Sequence, residues 1–364
     1  MSHRPKSRFM RWLPTLTLFA ILNTVATAAP EAGLSVETLA SDDIVLADYL
    51  AYLSFSKGES DTVLSYKHAD YWIDFRPAES LLLGEESSPH GSKDALRLAS
   101  QGVIGKDLLW LAEGGGYLGF SNYQALWVDE YYRQLFEKSP GYKVADPMGA
   151  DGLVGLRWDY LQTSGFAKVS GFGSRDRVSP QWSPVIGKSL SRTPTAIDSA
   201  GGRIEFENVL TRFLRTHNSV TVSNATGRKP RWSLETMENF AVSESCVIRT
   251  TGGYAFEAPD FDAFWTTAAV EWDFQRQWFV GLNARFYQDS GEINNLVSYG
   301  VAAPPATTFG IAASVRWVEG PNQASLGIGP YWTRFHDEDK TSPVAPLHSD
   351  RSWLWFQFAW SHQF

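Results

Sequence analysis

Residues 351–364 read RSWLWFQFAWSHQF, and the sequence stops on the phenylalanine. Soluble domains usually finish in a few frayed polar residues, whereas this stretch is rich in Trp and Phe. Counted back from Phe364 in steps of two, one face holds His362, Trp360, Phe358, Phe356 and Leu354. The other holds Gln363, Ser361, Ala359, Gln357 and Trp355. That alternation is a strand with one strongly apolar face. Where the face points depends on the remaining segments.

At the opposite end, Arg4, Lys6, Arg8 and Arg11 precede the apolar run LPTLTLFAIL at 13–22. Ala26, Thr27 and Ala28 then supply small residues for cleavage. This is the plan of a secretory signal peptide over 1–28, with an apolar run too short, and too broken by Pro14, to anchor as a helix. The mature chain, 29–364, is expected to be a single domain. Removing the four cations takes the net charge from −8 to −12, which argues against nucleic acid as a partner. Cys246 is the only cysteine, so no internal disulfide can staple this exported chain. No later run approaches the ~20 apolar residues of a spanning helix, yet aromatic residues make up 14% of the chain.

Other segments repeat the C-terminal design. Residues 263–274 set Phe264, Thr266, Ala268, Val270, Trp272 and Phe274 against Trp265, Thr267, Ala269, Glu271 and Asp273. Residues 277–289 oppose Trp278, Val280, Leu282, Ala284 and Phe286 to Gln277, Gly281, Asn283, Arg285 and Tyr287. Residues 308–318 place Phe309, Ile311, Ala313, Val315 and Trp317 opposite Gly310, Ser314 and Arg316. Residues 324–332 put Gly327, Gly329 and Tyr331 on the polar or small side. In water such strands would form a half-buried sheet. Lone charges at mid-strand and aromatics near the ends of the apolar face fit a transmembrane barrel instead. In hydrocarbon only a closed sheet satisfies every backbone group.

The connections test this. With Phe364 at the periplasmic end, loops read backwards should alternate long outside and short inside. Residues 335–350, 289–307, 176–202, 130–152 and 76–102 are long. Residues 319–322, 274–277, 243–245, 216–218, 162–165, 113–116 and 57–60 are short, with 257–262 medium and 227–229 the one outer loop that breaks the rule. With a first strand at 33–40 paired to 44–56, the expectation is an all-β, closed antiparallel transmembrane β-barrel. It has about sixteen strands, in a range of roughly 12–18, with short periplasmic turns and long extracellular loops. Strand phase breaks near Asn208, where a bulge is expected. Gly114-Gly115-Gly116 reads as a turn, without the helix that would follow a phosphate cradle. Residues 122–138 (NYQALWVDEYYRQLFEK) also fit a helix, with Leu126, Trp127, Tyr131 and Leu135 on one face.

On these features, namely the signal peptide, the strands, the loop asymmetry and the terminal segment, the chain resembles the outer-membrane β-barrel proteins of Gram-negative bacteria. The resemblance implies that Trp360 and Phe364 belong to an assembly signal read by the barrel-assembly machinery. His362 departs from it, standing where a larger apolar residue is usual. The resemblance also implies outer-membrane lipid and lipopolysaccharide as surroundings, a homo-oligomer among the arrangements open to it, and porin-like passage of small polar solutes.

On the same phases Arg157, Asp159, Glu235, Arg249, Glu271, Asp273, Arg285 and Arg316 point inward. They read either as a charged, water-filled pore wall or as mutually paired charges that only stabilise a closed barrel. A barrel of about sixteen strands is too wide for side chains alone to fill. Residues 125–151 are the first candidate constriction loop, as general porins fold one outer loop inward. Asp129 and Glu130 against Arg133 would set a field across the opening. The alternative is a cap over the outer mouth, and 176–202 is the second candidate loop.

Enzyme signals are poor. His217 and Ser219 sit two apart, as in outer-membrane phospholipases, but fall at an expected turn without that family's Asn. His348-Ser349-Asp350 are neighbours on a loop, an unpromising triad. His336-Asp337-Glu338-Asp339 reads as a solvated charge run before a metal site. The reading is therefore a channel for passive diffusion, with no catalytic residue, cofactor or metal. The alternative is the outer exit or binding barrel of a polysaccharide or secretion pathway, with Trp265, Tyr287, Tyr331 and Trp355 stacking on sugars. A hydrolase at the barrel rim stands third.

Overall fold

The computed structural model describes residues 30–74, 89–136, 142–143, 146–161, 164–177, 181–182, 196–259, 261–275, 277–291, 304–336 and 345–364. Of these, 128, 131–136, 142–143, 181–182 and 345–346 are described by backbone only. The expected signal peptide at 1–28 and the acids at 337–339 lie outside them.

Sixteen strands close into one antiparallel barrel. They are β1 (Glu31–Ala40), β2 (Ile44–Lys57), β3 (Ser60–Ile73), β4 (His90–Gly105) and β5 (Leu108–Gly119). Next come β6 (Met148–Leu161), β7 (Gly165–Arg177), β8 (Ala196–Thr211), β9 (Leu214–Ala225), β10 (Arg231–Ser243) and β11 (Cys246–Glu257). The wall is completed by β12 (Phe261–Gln275), β13 (Trp278–Asp289), β14 (Ala306–Glu319), β15 (Asn322–Phe335) and β16 (Arg351–Gln363). Each strand pairs with its chain neighbours, and β1 closes the ring on β16 from Glu31–Gln363 to Ala40–Leu354. Closure removes both sheet edges, so no row of backbone groups is left to face lipid. At roughly 3.3 Å per residue and a tilt near 40°, thirteen residues rise about 33 Å, enough to cross an apolar band of roughly 25 Å.

Register assigns every second residue to one face. The outward face carries the exposed apolar side chains, among them Leu156, Ile204, Leu234, Val280, Leu282, Ile311, Leu326, Ile328, Leu354 and Phe358. Exposed Trp72, Tyr254 and Trp332 lie toward one rim, and Trp158, Phe240, Trp272, Phe274 and Trp278 toward the other. These are two aromatic girdles around an apolar band, as bilayer interfaces demand. The buried residues are few, and several are small alanines of the inner face.

Several boundaries differ from the sequence reading. Gly114–Gly116 are not a turn. They run inside β5, and the turn is the polar Lys106-Asp107 pair. Glycine serves there because Arg97 lies across Gly115, where a Cβ would stand 2.9 Å from the Leu96 carbonyl. Residues 216–218 are likewise inside β9. The chain turns at Arg212-Phe213, and the ladder slips between Val209 and Thr211, just beyond the expected break at Asn208. At the end opposite the termini, the connections at 41–43, 226–230 and 258–260 are all as short as turns, so the loop asymmetry is weaker than the one exception anticipated.

Helix α1 (Tyr123–Phe136) follows β5. Gly119, at φ +100°, breaks the strand, and the Asn122 side chain accepts a hydrogen bond from the Ala125 N–H at 2.8 Å, capping the helix start. Leu126 and Trp127 then pack on Ala69, Tyr71 and Ile73 of the inner face of β3, together with Leu347 from the short 3-10 turn Ala345–His348. Leu126 comes this close because Gly91 faces it, where a Cβ would meet its methyl at 2.8 Å.

Candidate functional site: the inner wall and the helix folded against it

The eight charges expected to point inward share the face opposite the exposed Leu, Val and Phe. Register pairs Arg157 with Lys168, Glu235 with Gly253, and Glu271 with Gly281, and it runs from Arg249 through Ala269. Glu271 receives Arg316 at 2.8 Å and Arg249 at 3.4 Å. Arg316 also lies over the Phe279 ring at 4.0 Å, which shields one of its faces from water. Arg157 bonds Asp159 at 2.7 Å and covers Phe166 at 4.1 Å. Glu235 accepts the Trp265 indole N–H at 3.2 Å. Asp273 stands beside Phe279 in register. Arg285 reaches into the interior, its guanidinium 5.6 Å from the Trp355 ring and 6.0 Å from Tyr331.

Sequence reasoning missed the densest part of this network. Lys168 bonds Glu205 at 2.8 Å, Arg203 reaches Glu205 at 3.4 Å, and Arg215 pairs with Glu207. His217 sits between both acids, at 3.4 and 3.7 Å. The misplaced turn at 216–218 hid it. The signal was the Arg203/Glu205/Glu207 alternation, readable once Thr216–Asn218 are kept in the strand. Ser219 accepts a hydrogen bond from Arg203 at 3.3 Å, and both His217 nitrogens face carboxylates. This is an ion-pair network on the inner wall, away from the turn where the pair was expected.

On the other side, Lys67 bonds Asp48 at 2.7 Å, and Arg97 reaches both Glu113 and Asp151. Lys93 sits 4.0 Å over the Tyr117 ring. All of these but Glu113 line a cavity of about 700 Å³ between α1 and the inner faces of β1–β6, with Glu37 and Tyr123 completing its wall. Of the candidate constriction residues, Asp129 is 2% exposed and Glu130 half-buried, and the Arg133 side chain lies outside the described set. Asp129 therefore does not front open water as expected, because the helix turns it into packing. The charges facing the cavity come from β1–β6.

The aromatics expected to stack on sugars gather toward the end opposite the termini. Trp265 and Tyr287 are partners in register, as are Tyr331 and Trp353. Trp355 donates its indole N–H to Glu37 at 2.7 Å. Lower on these strands the same face offers Gln357, Ala359 and Ser361, while Phe279 is covered by Arg316. These rings make a collar near that end, while Tyr52, Phe166 and Phe279 share the inner face nearer the termini.

At this rim Arg351, buried, grips Asp43 with bonds at 2.9 Å and takes the carbonyls of Leu347 and Ser349 at 3.1 Å. It joins the β1–β2 turn to the last loop. Burial pushes the Asp43 carboxyl up, but the bonds from Arg351 and Ser41 and the Arg351 charge outweigh it, holding it below its ordinary value.

A closed antiparallel sheet with an apolar outer band, aromatic girdles and a charged interior is a β-barrel of the outer-membrane type. Two solved structures share the fold at a TM-score above 0.5. A bacterial polysaccharide outer membrane secretin is similar at a TM-score of 0.51 and 9% identity, over 92% of this chain and 98% of that one. CdiB from Acinetobacter baumannii is similar at 0.54 and 10%, over 92% of this chain and 60% of that one. The CymD monoaromatic hydrocarbon channel matches at 0.46 and 8%, over 93% and 89%. No family model and no curated protein matches.

Proposed function

We propose that this protein is an outer-membrane channel through which small polar solutes diffuse, narrowed by α1. The observation that carries the reading is a sixteen-stranded barrel whose inner wall is charged along its length and whose interior is narrowed from one side by a packed helix. A barrel this wide needs an inserted element to restrict it, and charges of both signs beside α1 tune passage by size and charge without catalysis. Arg157, Asp159, Glu235, Arg249, Glu271, Asp273, Arg285 and Arg316 line the wider part, and Lys67, Lys93 and Arg97 with Asp48 and Asp151 line the narrow part. In this reading the signal peptide is cleaved, the termini face the periplasm, α1 enters from outside, and Trp360 and Phe364 serve assembly. No catalytic residue, cofactor or metal is called for.

The exit barrel of a polysaccharide pathway is the second reading, and the aromatic collar favours it. A sugar chain threading the barrel would use open stacking platforms spaced along the axis, whereas most inner rings lie toward one end and Phe166 and Phe279 lower down are covered by Arg157 and Arg316. The test is single-channel conductance of the refolded protein in a planar bilayer, with the reversal potential under a salt gradient. Stable conductance steps support diffusion. A folded barrel without steps overturns it and moves the search to a gated exit.

A further inference from the structure

On the outward face, one broad polar patch lies near the middle of its strands. On β9–β12, register aligns Thr216, Glu238, Thr250 and Ala268 in one row, and Asn218, Thr236, Gly252 and Thr266 in the next. Toward one rim the adjoining row is Val220, Leu234, Tyr254 and Phe264. Toward the other it is Leu214, Phe240, Ile248 and Val270. A polar stripe two rows deep therefore sits between apolar rows, near the middle of strands that cross the bilayer. At its centre is the Glu238 carboxyl, which accepts hydroxyl bonds from Thr236 at 3.0 Å and Thr250 at 3.3 Å.

Hydrocarbon is a poor neighbour for this chemistry. An acidic group held in the bilayer centre is expensive, and such groups normally face protein or water. The outward-facing row of β16 shows the rule kept, with Leu354, Phe356, Phe358 and Trp360 in succession. The stripe is also low in profile, since Thr, Gly and Ala allow close approach where Leu and Trp would hold a neighbour away. Thr and Asn each donate and accept hydrogen bonds, so the stripe is complementary to itself.

We propose that the stripe on β9–β12 is the interface of a two-fold dimer of this chain within the membrane. A two-fold contact uses the same patch on both subunits. A ring would need a second polar patch at equal depth. Two further outward polar groups, His68, Asp70, His90 and Asp94 on β3–β4 and Arg175 with Asp198 on β7–β8, lie toward the outer ends of their strands. Both stand closer to the rim than Glu238 and Asn218, the centre of the stripe. A second copy supplies polar partners for Asn218 and further donors for Glu238, at the depth where they occur. The inference does not depend on what passes through the barrel.

The experiment measures the protein mass per particle in detergent by light scattering. It is run on the wild-type chain, on Glu238→Gln, and on the triple variant Asn218→Leu/Thr236→Val/Glu238→Leu. Two chains per particle are expected for wild type and for Glu238→Gln, which keeps the hydrogen bonds. The triple variant should show one chain and still migrate as a folded, heat-modifiable band. Native Cys246, on the same outward face, gives a readout in membranes without mutation. A bis-maleimide should link two copies of the wild-type chain and lose that product in the triple variant. A wild-type particle of one chain, a triple variant that stays paired, or a different protein bound in place of the second copy would each overturn the proposal. If the triple variant does not fold, the wild-type mass and cross-link still decide.

Discussion

The two faces of β13 hold residues of similar exposure and opposite character. Leu282 on the outer face is 63% exposed, and Arg285, three residues on, is also exposed. In a water-soluble protein both would count as surface. Here closure separates two media, so one faces hydrocarbon and the other the interior. Exposure alone does not name the solvent. The position of a residue in a closed wall does, and every strand of the barrel repeats the lesson at a spacing of one residue.

The sharpest way to break the comparison is to move a charge from one face to the other. Leu282→Arg should destabilise the barrel by about 2–4 kcal/mol, whereas Asn283→Arg, one residue along and facing inward, should stay within about 0.5 kcal/mol. Denaturant titration of both variants in lipid checks this, and equal losses would mean that the faces are misassigned. Glu271→Ala comes next. It leaves Arg249 and Arg316 without their shared acid and should cost about 1–2 kcal/mol, while the reversal potential moves toward anions. An unchanged potential would place Glu271 away from the conducting path.

Arg285→Ala should be nearly silent in stability, since its contacts are two ring faces worth about 0.5–1 kcal/mol at most. It should nevertheless shift selectivity toward cations, separating wall charge from wall strength. The smallest effect is expected at the rim. The lowered Asp43 value means that its bond to Arg351 stabilises the fold above the ordinary carboxylate range. That contribution disappears as pH falls through the folded value, below about pH 4. Hydrogen exchange at 41–44 should rise there by an amount equivalent to a few tenths to 1 kcal/mol. Asp43→Asn should remove the pH dependence.

Much of this was legible because period-2 alternation is local. Phe309, Ile311 and Val315 against Gly310, Ser314 and Arg316 announce a two-faced strand with no knowledge of its neighbours, and the inward charges followed from it. The alternation failed where small or polar residues stood on both faces. Gly114–Gly116 read as a turn because glycine has no side chain to report a face, and the close approach of Leu96 and Arg97 at Gly115 is visible only in the fold. Thr216 and Asn218 read as a turn for a related reason, since they are polar residues on the outer face. Their position is where the wall departs from an apolar surface, so the misreading and the proposed interface share a cause. The candidate site was half visible. Arg249, Glu271 and Arg316 could be listed, but not that Glu271 serves both arginines.

By itself the sequence determined the strand class, the approximate strand number, the apolar face of each clear strand and the inward charges, since these depend on residues two apart. Only the tertiary structure decided which charges meet, that α1 lies against β3 with Asp129 buried, and that the aromatics form a collar. Those facts depend on register between strands far apart in sequence. Backbone pairing and closure set that register around the whole ring, beyond the reach of any local pattern.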